Sequence, residues 1–436
     1  MHPQVTLVSV DKLRPNPRNA RTHSKKQLRQ IANSIERFGW TYPLLVDESG
    51  TILAGHGRYQ AALQLGLTEV PVITVSHLSE TQKRALVLAD NKIAENAGWD
   101  RQILATELGE LATLLPEIDL SLDITGFEPP EIDGLMGDLV DREDDPADEV
   151  PETTKLAVSR PGDFWVLGRH RLLCGNATNP DDVKALLAGE PANMVFTDPP
   201  YNRPARSIQG RGDIKHEGFV EGSGEMSPEE FTNFLGSALG QAANVSTPGS
   251  IHYVCMDWRH MGEMLAAGRA VFNELKNVVV WNKTNAGQGS FYRSQHELIF
   301  VFKSGDAPNL NNVELGRHGR NRSNVWTYPG VNTFRAGRMT DLATHPTVKP
   351  VQLVADAIKD CSRRGDIVLD PFIGSGTTIL AAERVGRRCC GLELDPIYVD
   401  AAVRRWQKFT KRDAVLEVSG QTFDEVAAER TNNFGG

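Results

Sequence analysis

Thr197-Asp198-Pro199-Pro200-Tyr201 and Asp370-Pro371-Phe372-Ile373-Gly374-Ser375-Gly376-Thr377-Thr378 are the two stretches that decide the fold of this chain. Each follows a short apolar run of the kind that forms a buried strand, at residues 193–196 and 366–369. A parallel strand that ends in a polar or glycine-rich turn places that turn at the edge where open α/β sheets bind their ligands. We therefore expect the two turns to meet at one crevice.

The composition is that of a globular protein with room for two or three domains. The 436 residues include 40% hydrophobic and 24% charged residues, which are ordinary proportions. No apolar run reaches the length of a membrane helix, and the polar start of the sequence does not fit a signal peptide. Five cysteines form no CxxC pair. Scattered cysteines of this kind predict reduced core thiols and a cytoplasmic protein.

Charge is distributed unevenly along the chain, although the net charge is −9. Residues 138–152 hold eight acids and one arginine, whereas residues 303–349 hold seven lysines or arginines and three acids. A locally basic surface can bind phosphate even when the whole chain is acidic. An acidic, proline-containing run is typical of a linker.

Periodicity divides the chain into parts. Residues 1–76 predict a small α/β domain with a helix over 25–38, residues 77–137 a helical extension, and residues 138–155 an acidic linker. From residue 156 to 425 strands and helices alternate, which predicts a doubly wound, mostly parallel sheet. The predicted strands of this last part are 194–197, 250–255, 277–281, 298–302, 367–370 and 389–392.

The first turn has the chemistry to hold an amino group on a flat ring. Such an amine is a poor nucleophile, because its lone pair is delocalised into the ring. It reacts better when acceptors hold its two N–H groups, and Asp198 and the carbonyl of Pro199 can supply them. Pro199 and Pro200 stiffen the turn, so the acceptors are preorganised. Tyr201 offers a ring on which an extruded base can stack.

The second turn predicts a site for a nucleoside-like cofactor. Gly374 and Gly376 let the backbone approach a ligand closely, and Glu393 ends the next strand, where an acid suits two ribose hydroxyls. The Gly-Lys-Ser/Thr sequence of a phosphate loop is absent. Asp370 would repel a pyrophosphate and attract an ammonium or sulfonium group. The sequence therefore favours S-adenosylmethionine over a nucleotide phosphate.

The two motifs, in this order, resemble the β class of amino-group DNA methyltransferases, over residues 156–425. His345-Pro346-Thr347-Val348-Lys349-Pro350 is similar to the HPTxKP segment of that family, whose Thr and Lys help to hold the methionine end of the cofactor. The resemblance implies a Rossmann-like methyltransferase fold. The cofactor-binding residues that it implies are Asp370, Phe372, Gly374, Gly376, Thr377, Glu393, Thr347 and Lys349.

The reaction implied is direct transfer of the sulfonium methyl group to an exocyclic amine, with no metal ion and no covalent intermediate. Its catalytic residues would be Asp198, Pro199, Pro200 and Tyr201. Aspartate rather than serine at the first position of the DPPY motif favours adenine N6. Cytosine N4 stays open, since some enzymes of that specificity also carry an aspartate. Methylation of a protein amide is disfavoured, because those enzymes carry asparagine at this position.

Basic residues in two segments are candidates for contacts with double-stranded DNA. One segment follows Tyr201, and the other is the irregular stretch 303–344, which we interpret as a target-recognition region because long irregular inserts in compact domains are usually functional. Relatives of the β class often form dimers, so a homodimer stays open, because the sequence alone does not give the oligomeric state. The candidate arginines are Arg203, Arg206, Arg211, Arg317, Arg320, Arg322, Arg335 and Arg338.

The N-terminal part resembles a second family, the ParB/sulfiredoxin-like domain, through residues 16–19 (NPRN) and 55–62 (GHGRYQAA). Partition proteins of that family carry Glu and Arg where this chain has His56 and Gly57, and they bind a nucleoside triphosphate. Arg58 at a helix start could bind a phosphate. A DNA-contacting or scaffolding role stays open. The alternative for the whole chain is a nucleotide-gated DNA-binding protein whose methyltransferase domain is inactive.

Overall fold

The computed structural model describes residues 4–118, 120, 122–128, 131–132, 135, 146–149, 156–203, 222, 224–283, 291–313, 315, 322–329 and 349–432. The chain divides into two compact units, Met1–Leu139 and Val140–Gly436. Within the described ranges, no helix is both long enough and apolar enough to cross a membrane.

The first unit is a four-stranded sheet with helices. Its strand order is β1-β4-β2-β3, and its core is built from side chains such as Leu44, Ile52 and Val72. The predicted helix over 25–38 is confirmed, with the Ser24 side chain accepting a hydrogen bond from the Gln27 backbone as its N-cap. The elements are β1 Val5–Ser9, α1 Lys25–Phe38, β2 Leu44–Val46, β3 Ile52–Ala54, α2 His56–Gln64, β4 Glu69–Thr74, α3 Glu80–Glu95 and α4 Arg101–Leu114.

The second unit is a ten-stranded sheet between two layers of helices. The elements are β5 Phe164–Leu167, β6 His170–Cys174, α5 Pro180–Leu187, β7 Ala192–Thr197, α6 Pro228–Asn244, β8 Ser246–Met256, α7 Met261–Val271, β9 Glu274–Lys283, β10 His296–Lys303, β11 Val325–Tyr328, α8 Val351–Cys361, β12 Ile367–Asp370, α9 Thr377–Arg384, β13 Arg388–Glu393, α10 Pro396–Thr410, β14 Val415–Leu416 and α11 Phe423–Asn432.

The centre of this sheet is parallel, as the alternation of strands and helices predicts. The strand order is β11-β9-β10-β8-β7-β12-β13-β6-β5-β14, and the five strands from β8 to β6 pair in parallel. Helices α8, α9 and α10 pack on one face, and α5, α6 and α7 contribute to the cores of the other. Because both faces are covered, most residues in the middle of the central strands are apolar and buried.

Strands β7 and β12 are direct neighbours in the sheet. Val368 pairs with Met194 and Leu369 with Val195, in parallel. The turns that follow these strands therefore leave the same edge side by side. This pairing confirms the expectation that the Asp-Pro-Pro-Tyr turn and the glycine loop meet.

Part of the predicted recognition region is regular rather than irregular. Residues Val325–Tyr328 form β11, which extends the sheet by pairing in parallel with β9. The Trp326 side chain is buried, and its ring lies 6.0 Å from that of Tyr253. Burial of this aromatic side chain stabilises the strand, although the surrounding sequence has no clear strand periodicity. Residues 330–344 lie outside the described residues.

Part of the predicted acidic linker packs on the second unit. The short turn Pro146–Asp148 buries Ala147, whose carbonyl oxygen accepts hydrogen bonds from the Arg405 guanidinium at 2.7 and 3.1 Å. Asp148 accepts a hydrogen bond from the Val351 backbone N–H at 2.8 Å and so caps α8. Residues 146–149 therefore pack against the domain, because they accept hydrogen bonds from the buried Arg405 guanidinium and from the backbone N–H at the start of α8.

Gly376 provides a test of how the glycine loop is packed. Its φ is +85°, and a Cβ at this position would lie 2.9 Å from the Ala402 side chain. Gly420 has a similar φ of +71° but open space around it. We expect Gly420→Ala to lower the free energy of unfolding by about 1 kcal/mol, because only left-handed backbone strain is added. Gly376→Ala should lower it by at least about 2 kcal/mol, because contact with Ala402 adds to that strain. Urea unfolding of the full chain measures both. Equal losses would contradict the close packing of the loop on α10.

Candidate active site

The turn after β7 carries a carboxylate held by two donors. One oxygen of Asp198, Oδ1, accepts a hydrogen bond from the Tyr201 hydroxyl at 2.6 Å, and Oδ2 accepts from Lys349 Nζ at 2.5 Å. Lys349 Nζ also lies 3.2 Å from the Tyr201 hydroxyl. The side chain of Lys349 is almost completely buried, whereas that of Asp198 is 22% exposed. The carboxylate therefore has a fixed orientation and still faces accessible space.

Lys349 lies between two carboxylates at the cavity wall. Its ammonium group bridges Asp198 and Glu297, with 3.0 Å between Nζ and Glu297 Oε2. The role that the family resemblance implies for Lys349 and Thr347, contact with the methionine end of the cofactor, stays a prediction. Helix α8 begins just after Lys349, so the helix start positions the lysine. Thr347 lies outside the described residues.

The glycine loop is fixed by Glu393 at the end of β13. The Gly374 N–H donates to Glu393 Oε2 at 2.9 Å, and the Asp395 N–H donates to Oε1 at 3.0 Å. On its other side the loop is held by Arg405, whose guanidinium donates to the Thr377 hydroxyl at 3.0 Å and to Ser375. The loop is therefore preorganised by side chains from β13 and α10.

Asp370 joins the two turns directly. Its Oδ1 accepts a hydrogen bond from the Thr197 hydroxyl at 2.9 Å and one from the Phe372 N–H at 3.1 Å, and its Oδ2 accepts from the Thr378 hydroxyl at 2.6 Å. The position of Asp370 just before the glycine loop predicts that it attracts a cationic ligand. In the structure its hydrogen bonds hold the glycine loop to the end of β7, and the side chain is 4% exposed.

One cavity is lined by both turns. Of the described residues predicted to be catalytic or to bind the cofactor, Gly376 is not part of its wall, because that glycine precedes the first residue of α9 and packs against α10. Glu393, Tyr398 and residues 175–177 complete the cofactor side of the wall. The predicted residues that line the cavity are Asp198, Pro199, Pro200, Tyr201, Arg203, Lys349, Asp370, Phe372, Gly374, Thr377 and Glu393.

Glu297 and Lys283 complete a partly buried charge network and are not among the site residues predicted from the sequence. Lys283 Nζ lies 2.5 Å from Glu297 Oε1, and the Tyr201 hydroxyl lies 3.3 Å from Glu297 Oε2. With Asp198 and Lys349, the network holds two acids and two lysines. The available sequence signal is an acid near the start of the otherwise apolar strand β10.

Burial and neighbouring charges set the protonation of these groups. Burial raises the pKa of Asp198; the Lys349 charge opposes this rise and the Glu297 charge adds to it. Burial also acts to raise the pKa of Glu297, but the positive charges of Lys349 and Lys283 outweigh it and lower the pKa to about 2. The two acids in turn raise the pKa of Lys349 well above its ordinary value despite burial. Lys349 is therefore a permanent cation beside Asp198.

Two acids on the cofactor side are less strongly ionised. Burial raises the pKa of Asp370 to about 7, although hydrogen bonds from Thr378, Phe372 and Thr197 oppose the rise. Burial raises the pKa of Glu393 to about 7 as well. A positively charged ligand between them would favour the ionised form of both groups.

The arginines expected to contact DNA have different outcomes. Arg203 lines the cavity and lies 3.3 Å from Asp257. Arg322 Nε lies 2.8 Å from Asp360, and the guanidinium lies over the Trp326 ring, so this side chain joins β11 to α8. A contact of Arg322 with DNA stays a prediction. In the first unit, Arg58 donates to the Tyr42 carbonyl at 3.0 Å. Six arginines lie outside the described residues: Arg206, Arg211, Arg317, Arg320, Arg335 and Arg338.

Comparison with known proteins gives three family matches. A DNA methylase model matches residues 192–404, a ParB N-terminal domain model residues 2–92, and a ParB-methyltransferase HTH domain model residues 102–161. The ParB-like nuclease domain-containing protein YnaK of Escherichia coli (strain K12) is 51% identical over 75 residues, which are 17% of this chain and 86% of that protein.

Similarity over the second unit is lower but longer. The type II methyltransferase M.HpaI of Haemophilus parainfluenzae is 26% identical over 253 residues, which are 54% of this chain and 73% of that protein. Among solved structures, the PvuII DNA methyltransferase (cytosine-N4-specific) aligns at 15% identity with a TM-score of 0.42, covering 64% of this chain and 94% of that one.

The fold and the cavity define a methyltransferase of the Rossmann-like class. The chain belongs to the N6/N4 DNA methyltransferase family and carries an N-terminal ParB-like domain.

The pH dependence of methyl transfer tests the role of Lys349. Asp198 accepts hydrogen bonds from an amine only as a carboxylate, so activity should fall as the pH drops through its pKa. Lys349→Gln removes the charge that keeps this pKa down. We expect the acid limb of the rate profile to move to higher pH by about 1–3 units, while Lys184→Gln, a change at an exposed lysine on α5, leaves it in place. A rate lowered equally at every pH would contradict the electrostatic role.

Proposed function

We propose that this protein is a site-specific methyltransferase that moves a methyl group from S-adenosylmethionine to the exocyclic N6 amine of adenine in double-stranded DNA. One observation carries the proposal: the Asp198 turn and the glycine loop line a single cavity and are joined by the hydrogen bond between Thr197 and Asp370. An acceptor for an amine and a cradle for a nucleoside are thereby held side by side. Much of the rate of such a transfer comes from alignment of this kind.

The cofactor side of the cavity fits a cationic ligand. Among the residues that the structure describes, six acids and two basic residues line the cavity, and the two basic residues, Arg203 and Lys349, lie beside Asp257 and Asp198. A pyrophosphate would be repelled by this wall, whereas the sulfonium and ammonium groups of S-adenosylmethionine are attracted. Glu393 retains lone pairs beyond its two backbone partners, so it can accept bonds from ribose hydroxyls. When bound, S-adenosylmethionine supplies an electrophilic methyl carbon.

The acceptor side fits an amine on an aromatic ring. A carboxylate has about four lone-pair sites, and Tyr201 and Lys349 occupy one on each oxygen of Asp198. The remaining sites can accept an N–H of the amine, with the Pro199 carbonyl as second acceptor. Because Lys349 and Tyr201 fix the carboxylate, little reorganisation is needed when the amine arrives. The positive charge that develops on the amine is stabilised by Asp198.

The choice of adenine over cytosine rests on the sequence of the turn. Aspartate at position 198 favours N6, and N4 of cytosine is the alternative that the experiment must separate. The competing proposal of an inactive methyltransferase domain is opposed by the intact set of hydrogen bonds around Asp198, Asp370 and Glu393. The ParB-like domain would then act as an accessory domain, in contact with DNA or with a phosphate-bearing ligand.

Labelled S-adenosylmethionine and mixed-sequence duplex DNA provide the test, with the DNA digested to nucleosides after the reaction. We expect label in N6-methyladenine, and sequencing of the modified DNA gives the target site. Asp198→Asn keeps the shape of the side chain but removes the charge and one acceptor, so the rate should fall at least about 100-fold.

The matched control is Asp424→Asn, which changes an exposed acid at the start of α11 and should leave the rate unchanged. Label confined to N4-methylcytosine would move the assignment to the alternative specificity. Absence of label in any DNA, or full activity of Asp198→Asn, would contradict the proposal.

A further inference from the structure

Two aromatic side chains project from the edge of the sheet that carries the cavity. Strand β10 runs antiparallel to β8, with Leu298 opposite Met256 at the end of β8. Strand β8 runs parallel to β7, with Val254 opposite Thr197. The start of β10 therefore lies at the same edge as the end of β7, where the Asp198 turn begins.

Phe291 and Tyr292 precede β10 by only a few residues. The Lys283 N–H donates to the Gln295 carbonyl at 2.8 Å and closes the base of the connection between β9 and β10. Three residues of chain span at most about 11 Å, so Tyr292 stays close to this base. Lys283 and Glu297, on either side of the connection, belong to the charge network of the cavity. The aromatic pair therefore lies within a few residues of Glu297 in the cavity wall.

Both rings are exposed to an unusual degree. The Phe291 residue is 86% and the Tyr292 residue 82% exposed, and the two rings meet edge to face with centroids 4.6 Å apart. Trp258, 46% exposed, follows Asp257 of the cavity wall at the same edge, with the Arg259 guanidinium 4.6 Å from its ring. Adjacent exposed aromatic side chains indicate a binding surface rather than a packing requirement.

We propose that Phe291 and Tyr292 stack on bases of duplex DNA beside the target and replace the stacking lost when the target base enters the cavity. The inference rests on the proposed function. Aromatic rings stack on any base, and the loss of stacking is a main cost of extruding a base from a duplex. The cationic groups of Arg203 and Arg259 at the same edge complement the phosphates of such a partner.

The test uses a duplex oligonucleotide that carries the target site mapped by sequencing, and a second duplex in which the target base faces a mismatch. Single-turnover methyl transfer is measured with the wild type, Phe291→Ala/Tyr292→Ala and Tyr292→Phe. We expect the double variant to lose about ten- to a hundredfold in rate on the matched duplex. It should recover most of this loss on the mismatched duplex, where the target base is already unpaired. Tyr292→Phe keeps the ring and should retain the rate.

Phe409→Ala is the matched control, because it removes a partly exposed ring near the far end of α10, about 20 Å of helix away from the cavity end of that helix. Full activity of the double variant on the matched duplex would overturn the inference. So would an equal loss on both duplexes, or a changed oligomeric state of the double variant in light scattering, which would place the pair between copies of the chain. A wild type that methylates neither duplex would instead contradict the proposed function.

Discussion

The parallel pairing of β7 and β12 is the constraint on which the rest of the site depends. It brings together two turns that are separated by more than 160 residues of chain, and the Thr197–Asp370 hydrogen bond fixes one turn to the other. Asp370 is buried and accepts hydrogen bonds from three donors, so it connects the Asp198 turn to the glycine loop. Residues farther out, such as Glu393 and Arg405, hold the loop in the form that this connection requires.

Charge balance is the second determinant of the site. A buried carboxylate without a partner would be protonated or unstable, and an amine acceptor must stay ionised. Lys349 and Lys283 balance Asp198 and Glu297, which keeps a carboxylate at the cavity wall. The acids on the cofactor side have no such lysine among their hydrogen-bonding partners in the described part of the chain. The described wall of the cavity therefore has a charge-balanced side around Asp198 and an acidic side around Asp370 and Glu393, as the proposed binding of a base and a cationic cofactor requires.

Local sequence determines most of the fold, but contacts between distant segments determine the finer roles in the site. The helix over 25–38 and the strands that precede the two motifs are predictable, because apolar spacing and the residues at their ends agree with one another. The ion pairs of Lys349 are not predictable from local sequence, because its partners Asp198 and Glu297 are distant in sequence. The sequence alone does not distinguish Arg322 from a surface arginine, because the fold brings Asp360 and Trp326 into contact with it. The packing of residues 146–149 depends in the same way on Arg405 and α8.

The most direct test of the central claim is a crystal structure of the protein with S-adenosylmethionine bound. We expect the methionine part of the ligand against residues 370–377, the ribose hydroxyls on Glu393, and the methyl group directed toward the Asp198 carboxylate. A ligand bound outside this cavity, or one whose methyl group points away from Asp198, would contradict the assignment of the two turns to one reaction.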